Sequence, residues 1–179
     1  VQDRVEIRLS GSGGQGLILA GIILAEAAIL DGKNSVQTQS YGPEARGGAS
    51  KAEVIISQNY IDYPKVVSPD VFLALTSEAV NKYIKDLKKS GVLITDSSIE
   101  VPKNINTKCY QVPIIETARE KIGREIVANI VALGVITGIT EIVSKESVEK
   151  AVLDRVPKGT VELNRKALYA GFELAQKSL

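Results

Sequence analysis

The apolar positions of this chain fall into short runs separated by glycine and polar turns, and their period changes along the chain. Val5, Ile7 and Leu9 alternate with Glu6 and Arg8, which predicts a strand over residues 5–10 with one face against a core. The stretch from Leu17 to Leu30 then carries one charge, Glu26, and is apolar almost all round. A helix over 14–30 with that composition has to be covered by sheet on one side and protein on the other. It is too short for a bilayer, which takes about 20 apolar residues, and it follows a strand and a glycine loop rather than a basic leader. Asp31-Gly32 closes it. Residues 35–39 and 51–57 read as the second and third strands, and 59–64 as a turn into an extended segment.

Residues 70–75 are a continuous apolar run, the pattern of a strand at the centre of a parallel sheet. Thr76-Ser77-Glu78 supplies hydroxyl caps and an acid for a helix start. Val80, Tyr83, Ile84 and Leu87 keep helical spacing up to Gly91, with Lys88-Lys89 at the polar end against the dipole. Strands follow over 92–95 and 108–112, and from Ile114 onward the pattern is helical. Ile126, Ile130, Val131, Gly134, Val135 and Gly138 line one predicted helix, with small residues where another backbone could pack closely. That run suits either a core or a partner surface. Helices over 144–156 and 160–177 complete the chain, joined at Pro157-Lys158-Gly159. Strands alternating with helices predict an α/β fold: Rossmann-like and doubly wound, a mainly parallel sheet with helices on both faces and a helical C-terminal part. The length suits one domain over 1–179.

Composition narrows the chemistry chiefly by what is missing. There is no histidine, which removes histidine bases, nucleophile–histidine pairs and histidine metal sites. The lone Cys109 cannot hold an iron–sulfur cluster or form an internal disulfide, and such sparing use of cysteine fits a reducing cytoplasm. Methionine is absent, so position 1 reads as a trimmed or processed end. The 22 basic and 21 acidic residues nearly cancel, which argues against nucleic acid and anionic membranes as partners.

Two glycine-rich stretches stand out. Gly11-Ser12-Gly13-Gly14-Gln15-Gly16 fits G-x-G-x-x-G between a strand and a helix, where backbone N–H groups and the helix N-terminus favour an anion. A dinucleotide would want an acid at the end of the second strand. Asp31 has the spacing but precedes that strand, which ends Gln39-Ser40-Tyr41. No Gly-Lys-Ser/Thr follows, so a kinase-type P-loop does not fit. A tight turn that binds nothing alone remains open. In Tyr41-Gly42-Pro43-Glu44-Ala45-Arg46-Gly47-Gly48, Arg46 offers a planar fork suited to carboxylate or phosphate. Both stretches follow strands, so both are expected at the carboxyl edge of the sheet, where doubly wound folds bind ligands. The alternative is a solvated connection.

Gly11 to Gly16 together with Gln37-Thr38-Gln39-Ser40 and Tyr41 to Gly48 resembles the gamma subunit of 2-oxoacid:ferredoxin oxidoreductases, most closely the 2-oxoglutarate enzyme. Residues 50–57, Asp62-Tyr63-Pro64 and 129–138 extend the resemblance over most of the chain. It implies a cytoplasmic multi-subunit enzyme that converts a 2-oxoacid and coenzyme A to acyl-coenzyme A and carbon dioxide while reducing ferredoxin. Pyruvate, branched-chain 2-oxoacids and indolepyruvate are the alternative substrates. It implies alpha and beta partners, and a delta partner in some assemblies. Thiamine diphosphate, magnesium and iron–sulfur clusters would sit in those partners. This chain would carry no catalytic residue or metal. Gly11, Gly13, Gly14, Gln15, Gly16, Tyr41, Gly42, Pro43, Glu44, Arg46 and Gly47 would shape the approach of coenzyme A. A stand-alone nucleotide-binding regulator and a pure scaffold are the competing readings.

Among single residues, Cys109 reads as an inert thiol, since no basic pattern activates it. Asp96 either reaches the crevice or caps a turn. Arg119, Arg124 and Glu125 read as surface or inter-helix charges.

Overall fold

The computed structural model describes residues 3–40 and 48–179. Its strands are β1 (Arg4–Gly11), β2 (Asn34–Gln39), β3 (Ser50–Ser57), β4 (Val71–Ala74), β5 (Val92–Asp96) and β6 (Lys108–Val112). Its helices are α1 (Leu17–Leu30), α2 (Ser77–Tyr83), α3 (Ile114–Glu116), α4 (Ala128–Thr140), α5 (Lys145–Arg155) and α6 (Val161–Ser178). The strands form one sheet in the order β2-β3-β1-β4-β5-β6. The pairs β1–β4, β4–β5 and β5–β6 are parallel, while β3 runs antiparallel to both β1 and β2. The sheet is therefore mainly parallel with one reversed strand. The reversal follows from the short connection between β2 and β3, since parallel neighbours need a crossover of a dozen or more residues.

The two faces are covered unequally. Ile7, Leu9, Val54, Val71, Leu73 and Ile94 point into the larger core with α1, α4, α5 and α6. On the opposite face Phe72, Ala74 and Leu93 meet the short α2 through Ala79, Val80 and Tyr83. That face also buries Arg8, which is only 3% exposed. Its guanidinium donates to Glu53 Oε1 at 2.8 Å and to Asp86, and it lies 5.0 Å from the Tyr83 ring. An alternating strand normally turns its charged side to water. Here the charge is paired instead, an arrangement that fixes one geometry more than it adds stability.

Three sequence expectations need correction. Lys88 does not sit at a helix end: α2 stops at Tyr83, a 3-10 turn covers Ile84–Asp86, and Lys88 Nζ pairs with Asp70 at 2.7 Å. Ile126 does not join the helix of Ile130 and Gly134. A π-helical turn, Thr117–Ile122, ends at Gly123 with φ of 84°, Arg124 is extended, and Ile126 lies in the 3-10 turn Glu125–Val127 that leads directly into α4, 76% exposed. α1 begins at Leu17, because Gly14 and Gly16 adopt φ of 87° and 73°, outside the right-handed helix.

The small residues of α4 serve the core. Every residue from Ala128 to Thr137 is buried. Gly134 faces Gly171 of α6, and a Cβ on Gly134 would overlap the carbonyl oxygen of Leu168. A backbone oxygen cannot step aside as a flexible side chain can. Gly134→Ala is therefore expected to destabilise the protein by about 1–3 kcal/mol, read as a lower urea midpoint. An unchanged midpoint would show that the α4–α6 crossing is loose.

Candidate functional site

The GSGGQG turn connects β1 to α1 at the carboxyl edge of the sheet. Its base is fixed by hydrogen bonds: Ser50 Oγ donates to Gly11 O, Ser10 Oγ donates to Ser50 O, and Leu75 N donates to Ser10 O. Gln15 folds back so that its Oε1 accepts from Ser12 N at 2.8 Å. That side chain lies over Gly11, where a Cβ would collide with it. Gly16 O accepts from Asn129 Nδ2 at 3.1 Å, and a Cβ on Gly16 would stand 2.5 Å from that nitrogen. Gly13 is exposed in the turn. Gln15 thus takes up one of the backbone donors that an anion would use, and Asn129 ties the start of α1 to the start of α4.

The helix starts differ in their caps. α2 and α5 carry side-chain caps, Thr76 and Ser144, and an acid in the first turn. α1 has neither; α4 has no side-chain cap, and the 3-10 turn that leads into it carries Glu125, which pairs with Arg119. The N-termini of α1 and α4 meet at a cavity of about 430 Å³ lined by Gly14, Gly16, Ile126, Asn129, Thr160 and Leu163. Arg124 also lines it, and its guanidinium has no partner among the described residues. Two helix N-termini, each with roughly half a positive charge, and one guanidinium converge on a space with partly apolar walls. An amphipathic molecule with an anionic group fits that arrangement. The sequence places Arg124 among surface or inter-helix charges, and it is exposed where it lines this cavity. The signal that could have found it is Gly123-Arg124, a helix stop followed at once by a cation.

The other stretch falls mostly outside the described residues: Tyr41, Gly42, Pro43, Glu44, Arg46 and Gly47 are not described, while Gly48 is. Its two ends are described. Gln39 pairs with Ala52 and Gly11 with Ser50, so both ends lie at the carboxyl edge beside the GSGGQG turn.

Several titratable candidates are committed to structure. Asp31 receives hydrogen bonds from Ser144 N, Ser144 Oγ and Ser147 Oγ at 2.6–2.7 Å, so it caps α5 and is not placed for a ribose. A depression of about 510 Å³ beside Asp31 and Lys33 lies at the far end of α1 from the glycine turn. Asp96, 2% exposed, accepts from Ser98 N, Ser98 Oγ and Ile115 N. Of its two readings, the turn cap is the one observed. Burial pushes the Cys109 thiol up, which keeps it protonated and inert. Arg119 pairs with Glu125 at the surface. Among the described residues no three His, Cys, Asp or Glu side chains cluster as a metal site, and no helix is long and apolar enough to cross a membrane.

The family model described as pyruvate ferredoxin/flavodoxin oxidoreductase matches residues 6–174. The chain is 54% identical to the 2-oxoglutarate synthase subunit KorC of Methanocaldococcus jannaschii, over 99% of this chain and 97% of that one. It superposes on the crystal structure of a keto/oxoacid ferredoxin oxidoreductase gamma subunit from Geobacter sulfurreducens with a TM-score of 0.88. The two are 58% identical, with 97% of this chain and 99% of that chain covered. It is also 32% identical to the ketoisovalerate oxidoreductase subunit VorA of Methanothermobacter thermautotrophicus, over 98% of this chain but 37% of that one.

The Asp31 cap has a pH signature. Burial pushes its carboxyl up, but the hydrogen bonds from Ser147 and Ser144 and the charge of Lys33 outweigh this and hold it below the ordinary 3.8. A folded value below the unfolded one means that ionised Asp31 stabilises the fold above the unfolded value. The contribution is lost as pH falls through the folded value. Asp31→Ala is expected to lose about 1–2 kcal/mol at neutral pH, and the deficit should shrink below about pH 4. A deficit independent of pH in urea titrations would mean that the charge contributes nothing.

Proposed function

The chain belongs to the pyruvate ferredoxin/flavodoxin oxidoreductase family, and from that premise we propose that it is the gamma subunit of a 2-oxoglutarate:ferredoxin oxidoreductase. The reaction joins 2-oxoglutarate and coenzyme A into succinyl-coenzyme A and carbon dioxide while ferredoxin accepts the electrons. The match to subunits named for 2-oxoglutarate, end to end at 54% identity, favours that substrate over pyruvate or branched-chain 2-oxoacids. The donors of this chain do not fit a metal or cluster, with one cysteine and no histidine. Thiamine diphosphate, magnesium and iron–sulfur clusters are assigned to partner chains of alpha, beta and delta type, in the cytoplasm.

The part played by this chain is to receive coenzyme A. The convergence of two uncapped helix N-termini and Arg124 on one partly apolar cavity carries this reading. A phosphate of coenzyme A would meet the positive end, and its apolar stretches would meet Ile126 and Leu163. Gly14 and Gly16 line this cavity, and Gly11, Gly13 and Gln15 belong to the same turn. The stretch with Tyr41, Gly42, Pro43, Glu44, Arg46 and Gly47 would close the site from the neighbouring strand end. Gln15 has to release Ser12 N if that amide is to reach an anion.

Two measurements test this. The isolated chain, given thiamine diphosphate, coenzyme A, 2-oxoglutarate and a dye, is expected to reduce no dye, and turnover would refute the subunit reading. In the assembled enzyme, Arg124→Ala and Arg46→Ala should each raise the KM for coenzyme A about tenfold, the scale of one charge-assisted hydrogen bond. The KM for 2-oxoglutarate should stay unchanged. An unaltered coenzyme A KM in either variant removes that arginine from the site.

A further inference from the structure

The connection between β3 and β4 runs over residues 58–70 without regular secondary structure, yet it is held firmly. Arg4 Nη2 donates to Tyr63 O at 2.8 Å and to Lys65 O at 3.2 Å. Val67 N donates to Glu6 Oε2, and Asn34 Nδ2 donates to Asn59 O. Ser68 Oγ donates to Asp86 O, and Asp70 N donates to Glu6 O. Val66 is buried by this arrangement. Large apolar side chains point the other way: Tyr60 is 87% exposed, Tyr63 54% and Val67 64%. Neither phenol has a hydrogen-bond partner among the described residues. A connection this long inside a compact fold is usually functional. A fixed backbone that turns two tyrosines outward has already met the ordering cost of binding, and tyrosine is among the commonest anchors of protein interfaces.

The occupant is indicated by the longer relative. A stretch similar to 98% of this chain makes up 37% of the ketoisovalerate subunit, so there it is covalently joined to further polypeptide. Where such a stretch stands as its own chain, the neighbour that fusion supplies has to be held by a surface. The required partner is therefore a different chain rather than a second copy.

We propose that residues 58–67 dock the companion chain that corresponds to the remainder of that longer relative, with Tyr60 and Tyr63 as anchors. The complementary surface offers apolar pockets for the two rings and a polar rim for their hydroxyls. The place fits the site already described. Pro64, Lys65 and Val66 line an opening of about 470 Å³ together with Thr38, Gln39 and Ser40, and Ser40 leads directly into the second glycine stretch. A chain docked here stands next to the end of β2. The inference rests on the reading of this protein as a subunit.

The experiment measures affinity between this chain, purified alone, and the purified remaining subunits of its own complex, by light scattering and titration. Wild type should bind. Tyr60→Ser/Tyr63→Ser should bind more than about tenfold more weakly while keeping the wild-type melting temperature. Ile29→Ser/Leu30→Ser, which changes another exposed apolar pair at the end of α1, should bind as wild type. Equal binding by the tyrosine variant overturns the docking surface and leaves the subunit reading intact. Failure of wild type to bind overturns both. A wild-type dimer that the tyrosine variant abolishes assigns the surface to a second copy and also overturns the proposal.

Discussion

The hydrogen bond from Asn129 to the carbonyl of Gly16 links two parts of the chain that are 113 residues apart. Everything that makes the cavity distinctive depends on it. α1 leaves the sheet through a turn that two left-handed glycines allow, and α4 enters the core after a π-helical turn, a glycine stop and a 3-10 turn. Without a shared anchor the two N-termini would point at different parts of the surface. With it they meet, and two helix starts without side-chain caps face one space. Natural helices normally satisfy these groups, because an uncapped start forgoes about 1 kcal/mol. Leaving two of them bare at the same place reduces stability. In the proposed function, a bound anion would offset that loss.

Strands and helices were legible because their periods are local. The alternation of Val5, Ile7 and Leu9 and the unbroken run Val71–Ala74 are properties of neighbouring residues, and both appear as strands where expected. The errors arose where a contact distant in sequence decides. Lys88 suits a helix end by position, yet Asp70 captures it. Ile126 keeps helical spacing with Ile130, but it lies in the 3-10 turn that leads into α4 and is exposed. The alternation of Arg8 with core positions does not show its burial, because Glu53, Asp86 and Tyr83, which surround it, come from three other segments.

The site divides along the same line. The glycines of the first turn were visible as a motif, and their individual reasons become clear only in three dimensions. Gly11 makes room for the Gln15 side chain, and Gly16 makes room for Asn129. Arg124 carried no motif. Its place at the cavity depends on how the chain turns after the Gly123 stop, and that stop is the one local signal for it. Asp31 shows the converse error that spacing invites. Its distance from the glycine turn suits a ribose ligand, but its carboxylate is used on Ser144 and Ser147.

The unequal cover of the sheet bears on how such a chain can contribute to an enzyme whose reactive groups are proposed to lie in other subunits. Four helices close one face, and that side is a finished core. The other face has one seven-residue helix, a buried ion cluster around Arg8 and the pinned connection with its outward tyrosines. A surface built from fixed backbone and paired charges holds its shape before anything binds. It therefore has less entropy to lose on association than a mobile loop. In the proposed assembly the helical side supplies rigidity, the carboxyl edge supplies the anion-binding cavity, and the thin face meets the neighbour. Chemistry located in another subunit can depend on this chain only if those three surfaces keep their relative positions. The Asn129 anchor, the β1–β3 pairing and the Arg4 and Glu6 contacts fix those positions.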